Sequence, residues 1–251
     1  MTNEELKQTV RDQYGKIAAS GGSCCGPNCG CGAPESELLT ITMNDEYISP
    51  NKQIVEAADL GLGCGTPTAF SDLQPGMTVL DLGSGAGIDV FLAAQEVGPS
   101  GKVIGLDMTD EMIARANDNR QKLGLLNTEF RRGEIENMPI EPDSIDRILS
   151  NCVINLVPEK RRAFSEMYRV LRKGGKFTIS DVVSIGEIPE AVRSDMQLWA
   201  GCVSGAVEKE LYLQIIRDAG FREVTIASEK PYPSDPAIPF SIQSITVTAT
   251  K

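Results

Sequence analysis

The sequence predicts an α/β protein built on a doubly wound, mainly parallel sheet. Short apolar strands alternate with amphipathic helices from Leu73 onward. The first strand runs through the Gly-rich turn DLGSGAG (81–87) into a helix. The second strand ends on an acidic residue, Asp107. Short connections between neighbouring parallel strands require right-handed crossovers, which the intervening helices supply.

The elements follow in order. Leu6, Val10, Tyr14 and Ile17 share one stripe at helical spacing, which predicts a helix over 2–19 stopped by Gly21 and Gly22. SCCGPNCGC is small, Gly-rich and Cys-rich, and reads as a loop or ligand-binding hairpin. A helix over about 51–60 leads into GLGCGTP (61–67). QPG (74–76) is a turn and MTVLDL (77–82) a strand. A helix at 88–97, a strand at 102–107, a helix at 110–122 and strands at 127–132 and 144–150 come next. A helix over 159–172 is expected to end at Gly174 and Gly175, with a strand at 176–181. Residues 187–219 read as mostly helical. Strands at 221–228 and 241–250 are joined by PYPSDPAIP, too short for a crossover helix, so this pair is expected to be antiparallel. The expected organisation is an N-terminal helical and Cys-rich cap, 1–72, and a cofactor-binding domain, 73–251, with a helical insertion at 187–219.

Composition narrows the chemistry. The 251 residues are 41% hydrophobic and 24% charged, ordinary for a globular chain. No apolar run approaches the ~18 residues of a membrane span, and MTNEELKQTV has no apolar signal region, so a cytoplasmic location is expected. A net charge of −11 argues against nucleic acid and anionic membrane surfaces as partners. There are seven Cys and no His, which excludes Ser-His-Asp, Cys-His and His-metal chemistry. In a reducing compartment the thiols are expected to be reactive or metal-binding.

Gly83, Gly85 and Gly87 form G-x-G-x-G behind Asp81, a poorer cradle for a pyrophosphate than G-x-G-x-x-G. A cofactor with a zwitterionic amino-acid tail suits it better, since Asp81 can reach an ammonium. Asp107 stands where ribose hydroxyls are accepted. Glu134 could accept from an adenine amino group and Ile135 pack on the ring. With VLDLGSGAG, IGLDMT, RRGEIENMP and YRVLRKGGKF in place, the chain resembles the class I methyltransferases that use S-adenosylmethionine. The resemblance implies a Rossmann-like seven-stranded sheet of order 3-2-1-4-5-7-6. It brings Ser84 and Met108 into the cofactor set with Asp81, Gly83, Gly85, Gly87, Asp107, Glu134 and Ile135.

Three thiols fall where they could meet such a cofactor. Cys152 follows the fourth strand in SNCVINL, Cys202 lies in WAGCVSGA, and Cys64 lies between glycines in GLGCGTP, where it is expected to be accessible. YGKIAASGGSCC, GLGCGTP, SNCVINLVPEKRRAFSEMYRVLRKGG and LWAGCVSGA resemble the arsenite S-adenosylmethionine methyltransferases over nearly the whole chain. That resemblance implies arsenite, or its glutathione conjugate, as substrate. It implies Cys64, Cys152 and Cys202 as catalytic thiols and arsenic ligands, Cys152 and Cys202 being the persistent pair. An N-terminal thiol joins them, with Cys24 and Cys25 the first candidates among Cys24, Cys25, Cys29 and Cys31. Larger family members carry a further C-terminal domain.

The chemistry is consistent with this. Soft sulfur ligands select a soft centre, and a thiolate-held arsenic keeps a lone pair that can take up a methyl group, so positioning supplies most of the rate. Transfer oxidises arsenic, and neighbouring thiolates can return the electrons as a disulfide. A thiol reductant, thioredoxin-like or glutathione, then resets the enzyme. Tyr14 is either a cover for the methionine end of the cofactor or a core aromatic. Asn151 orients the cofactor or a loop. Trp199 is a core anchor in preference to a lid on the arsenic mouth. Two rival readings stay open: a methyltransferase of an organic acceptor with structural cysteines, and a non-enzymatic metal or redox sensor built on CCGPNCGC.

Overall fold

A computed structural model of the chain describes residues 2–20, 52–193, 199, 203–233 and 239–251. Seven strands form one sheet: β1 (Thr78–Leu82), β2 (Lys102–Asp107), β3 (Thr128–Arg132), β4 (Ile145–Asn151), β5 (Leu171–Ile185), β6 (Arg222–Pro231) and β7 (Ser241–Thr250). Their order is β3-β2-β1-β4-β5-β7-β6. β1 to β5 are mutually parallel, and β7 runs antiparallel to both β5 and β6. The expected fold class, strand order and antiparallel final pair are all found.

The helices are α1 (Asn3–Ser20), α2 (Lys52–Ala58), α3 (Ile88–Val97), α4 (Asp110–Leu123), α5 (Lys160–Val170), α6 (Glu190–Arg193) and α7 (Lys209–Asp218). On one side of the sheet, Phe164 and Met167 of α5 and Tyr212 and Ile216 of α7 bury against Phe177, Phe221 and Val247. On the other, Ile54 of α2 and Val90, Phe91 and Val97 of α3 pack on Val79, Val103 and Leu149. Central strands buried on both faces read as near-continuous apolar runs, as TVLDL and KVIGLD do. The order reverses at β1, which pairs with β2 on one side and β4 on the other. A crevice therefore opens beyond the carboxyl ends of these strands, where ligands bind in such sheets.

Two expectations need correction. α5 ends at Val170, and β5 begins at Leu171 and continues to Ile185. Leu171 is fully buried, takes extended backbone and pairs with Ile145, so packing stops the helix before the glycines can. The ladder then shifts register before Arg147 meets Lys176, which absorbs Gly174 and Gly175 into the strand. Within 187–219, expected to be mostly helical, the described residues are helical at α6, at Trp199 and at α7, and Ser204–Gly205 form a turn. α7 packs on α5, β5 and β6 as the crossover of the sheet itself. Cys64 is 1% exposed, not accessible: its loop is pressed onto the end of β5.

Candidate active site

The carboxyl ends of β1, β2 and β4 enclose one pocket of about 1130 Å³ including its open mouth. Its floor is the turn after β1. The Gly83 and Ser84 N–H groups donate to the Leu106 carbonyl, which folds the turn onto β2. Gly85 and Gly87 both have positive φ, +51° and +98°. A Cβ on Gly87 would meet the Phe91 ring at 2.8 Å, so a side chain there collides with the core. A Cβ on Gly85 would have nothing nearer than Met112 Sδ at 4.0 Å. That space belongs to the pocket, and only a residue without a side chain leaves it to a ligand.

Carboxylates line one side. Asp81 at the end of β1 and Asp89 in the first turn of α3 are both buried. Asp107 accepts from the Gly85 N–H and the Thr109 N–H, each at 2.9 Å. Burial pushes the Asp81 carboxyl well above its ordinary pKa, and the charges of Asp89 and Asp107 push it the same way. Burial also raises Asp107, against the opposing effect of its backbone donors. Like charges out of water are costly, and a cationic ligand relieves that cost.

The opposite wall comes from the segment after β3 and from α1. Glu134 is partly exposed and pairs with Lys7 at 2.8 Å and Arg11 at 3.5 Å. Glu136 is 5% exposed and pairs with Lys7 at 2.9 Å through Oε2. Its other oxygen, Oε1, is buried with no hydrogen-bond partner among the described residues. Ile135 and Met108 add apolar surface to the wall, and Tyr14 lines the pocket from α1. Sequence reading passed over Glu136, Asp89 and Lys7. The alternation Glu134-Ile135-Glu136 was a usable signal for Glu136, but no local pattern tells which of two acids turns inward.

The thiol side lies at the end of β4. Cys152 lines the pocket, is buried, and holds φ +60°. A non-Gly residue in that region costs about 1–2 kcal/mol and marks positions the surroundings over-determine. Its N–H donates to the Ser180 carbonyl at 2.8 Å, and the Cys64 S–H donates to the same carbonyl at 3.6 Å. Both residues are thiols rather than halves of a disulfide, and both sit in one buried cluster with Val182, Ile188 and Phe240. Asn151 also lines the pocket, but its carboxamide is engaged with the Cys64 loop: Oδ1 accepts from the Cys64 N–H at 3.1 Å and Nδ2 donates to the Gly65 carbonyl at 2.7 Å. Trp199 donates to the Leu156 carbonyl at 3.2 Å, and the Lys160 ammonium sits 5.6 Å from its ring centroid. Cys24, Cys25, Cys29, Cys31 and Cys202 lie outside the described residues.

The glycine cradle, the buried acids facing a cation's place and the orphaned Glu136 oxygen fit an adenosyl sulfonium cofactor. Such a fold and pocket define a class I methyltransferase, the class that draws its methyl group from S-adenosylmethionine. A family model described as a methyltransferase domain matches residues 73–220. The arsenite methyltransferase of Halobacterium salinarum is 47% identical over 231 residues, 89% of this chain and 59% of that protein. The human arsenite methyltransferase is 39% identical, over 88% of this chain and 59% of that protein. Among solved structures, CrArsM, an arsenic (III) S-adenosylmethionine methyltransferase from Chlamydomonas reinhardtii, matches with a TM-score of 0.69 and 34% identity. That match covers 81% of this chain and 75% of that one. The chain belongs to the methyltransferase family and, within it, with the arsenite methyltransferases. It spans about three fifths of the length of these two curated relatives.

Proposed function

We propose that this protein methylates trivalent arsenic, taken as arsenite, its glutathione conjugate or methylarsenite, with S-adenosylmethionine as donor. The observation that carries the reading is Cys152 on the wall of a pocket lined with buried acids that suit a cationic cofactor, with the Cys64 thiol behind it donating to the same Ser180 carbonyl that accepts the Cys152 N–H.

Residues 73–251 supply the cofactor-binding domain and residues 1–72 a cap, whose helix α1 reaches the pocket through Lys7, Val10 and Tyr14. Gly83, Ser84, Gly85 and Gly87 cradle the cofactor's amino-acid tail. Asp81, with Asp89, attracts its ammonium. Asp107 accepts from the ribose hydroxyls, and Met108 and Ile135 flank the adenine. Glu136 is better placed than Glu134 to accept from the adenine amino group. Tyr14 closes the methionine end, and Asn151 orients the Cys64 loop beside it.

When bound, S-adenosylmethionine supplies an electrophilic methyl carbon. Cys152, Cys202 and Cys64 hold arsenic as thiolates and aim its lone pair at that carbon, which needs no proton removed from the nucleophile. Arsenic gives up two electrons in the new As–C bond, while the S–CH3 bond breaks and its electron pair leaves on the sulfur of S-adenosylhomocysteine. Two cysteine thiolates return two electrons by joining as a disulfide, which restores the trivalent state. An N-terminal thiol, Cys24 or Cys25, relays that disulfide to a thioredoxin-like or glutathione reductant. Among the described residues no helix is long and apolar enough to cross a membrane.

The test is incubation of the reduced protein with arsenite or methylarsenite, S-adenosylmethionine and a dithiol, followed by speciation of the products. Methylated arsenic is expected from both substrates, and none from Cys152→Ser. Cys64→Ser is expected to lose more of the first methylation than of later ones. Full turnover by Cys152→Ser on both substrates would remove the thiol from the mechanism. Transfer that survives thiol blocking, with an organic acceptor only, would replace arsenic by the rival substrate class.

A further inference from the structure

Cys64 and Cys152 come from distant parts of the chain, and Cys64 is not itself on the pocket wall; one side chain spans the interval between them. Asn151 sits directly before Cys152 at the end of β4. Its Oδ1 accepts from the backbone N–H of Cys64 at 3.1 Å and faces the Cys64 thiol at 3.8 Å. Its Nδ2 donates to the Gly65 carbonyl at 2.7 Å and faces Asp89 Oδ2 at 3.5 Å. Both ends of one carboxamide are thus engaged by two consecutive residues of the same loop. Only Asn or Gln carries a donor and an acceptor in this rigid geometry. The loop has no slack beneath it: a Cβ on Gly65 would meet Ser180 Oγ at 2.6 Å. From the other side Ser244 Oγ donates to the Cys64 carbonyl.

We propose that Asn151 is a positioning residue that clamps the Cys64 loop to the strand end carrying Cys152, and so sets the reach between the two thiols on which arsenic capture and disulfide return depend. The inference rests on the arsenic reading for its catalytic consequence. The clamp itself rests on the hydrogen bonds alone.

A buried thiol reacts only when its loop opens, so its alkylation rate reports the clamp. The experiment compares the reduced wild-type chain of 251 residues with Asn151→Ala and Asn151→Asp. Iodoacetamide modification of Cys64 and Cys152 is followed by peptide mass spectrometry, without arsenic or cofactor. Turnover on arsenite and the KM for S-adenosylmethionine are measured in parallel. In Asn151→Ala, Cys64 alkylation is expected to rise at least tenfold while that of Cys152 changes less than threefold. In the same variant kcat is expected to fall at least tenfold, with the KM for S-adenosylmethionine within threefold of wild type. Asn151→Asp keeps an acceptor for the Cys64 N–H but loses the donor to Gly65, so an intermediate rise is expected. It also carries the test if Asn151→Ala does not fold.

Cys64 alkylation within twofold of wild type in both variants overturns the clamp. A KM for S-adenosylmethionine that rises in proportion to lost turnover overturns it too, by making Asn151 a cofactor ligand. Faster alkylation with unchanged kcat overturns the catalytic consequence. If the wild-type chain does not methylate arsenite, the function reading fails, while the alkylation comparison still judges the clamp.

Discussion

Lys7, on the first helix, reaches Glu136 at 2.9 Å, so α1 and the segment after β3 are held together by an ion pair in one wall of the pocket. The same ammonium meets Glu134 at 2.8 Å. Both partners raise the Lys7 pKa, against the effect of burial.

That arrangement separates the two acids. Glu136 is 5% exposed, whereas Glu134 faces water on one side. Removing a partner from a mostly buried charge leaves an uncompensated ion, about 3–5 kcal/mol in full burial and less at this partly open mouth. Lys7→Met and Glu136→Gln are each expected to weaken S-adenosylhomocysteine binding at least fivefold by calorimetry. Glu134→Gln is expected to change it less than threefold. Equal losses in both glutamine variants would contradict the assignment of Glu136.

Gly85 and Gly87 are expected to fail differently. Gly85→Ala places a methyl in open pocket space at φ +51°, which costs about 1–2 kcal/mol of backbone strain. The variant should fold, with cofactor binding reduced at least tenfold. Gly87→Ala drives a Cβ into Phe91 and Phe130, so its main loss should be thermal stability. Melting curves with and without S-adenosylhomocysteine distinguish the two.

Cofactor affinity is expected to fall with acidity. The raised Asp81 and Asp107 carboxyls take up protons at a higher pH than ordinary aspartates. A protonated acid does not attract an ammonium, so cation binding releases protons and weakens as pH falls through the raised values. Titration of S-adenosylmethionine between pH 8 and 5, in buffers of different ionisation enthalpy, should show both effects. Asp81→Asn should flatten the dependence.

Fold stability carries an opposite signature from Asp181. This fully buried carboxyl accepts from Tyr212 Oη at 2.9 Å, and burial pushes its pKa up to about 7. A folded pKa above the unfolded one gives stability that is complete below about pH 4 and lost as pH rises through about 7. The loss is on the order of 1.4 kcal/mol per pH unit across that window. Asp181→Asn should therefore gain on wild type in denaturant midpoint from pH 4 to 7. A constant difference across that range would refute the raised pKa.

The readable parts of the chain share a feature: the information is local. The helix over 88–97 and the strand at 102–107 stand where the pattern puts them, because apolar period and turn glycines act within a few residues. The close of α5 was misplaced because Gly174 and Gly175 are a visible stop signal, while the packing of Leu171 against Ile145 is not. Cys64 looked accessible between two glycines for a similar reason. Those glycines let the loop lie flat on Ser180, which buries the thiol instead of displaying it.

By itself the sequence determined the α/β class, the strand order through its family motifs, the glycine cradle after β1 and the thiol at the end of β4. Each is written in neighbouring residues, or in motifs whose spacing a local turn enforces. Only the tertiary structure decided that Glu136 is buried while the more exposed Glu134 also meets Arg11, that Asp89 joins Asp81, and that Asn151 binds the Cys64 loop. Those relations join residues on different strands and helices. The direction of each side chain is set by what the assembled sheet leaves beside it, which no stretch of chain contains alone.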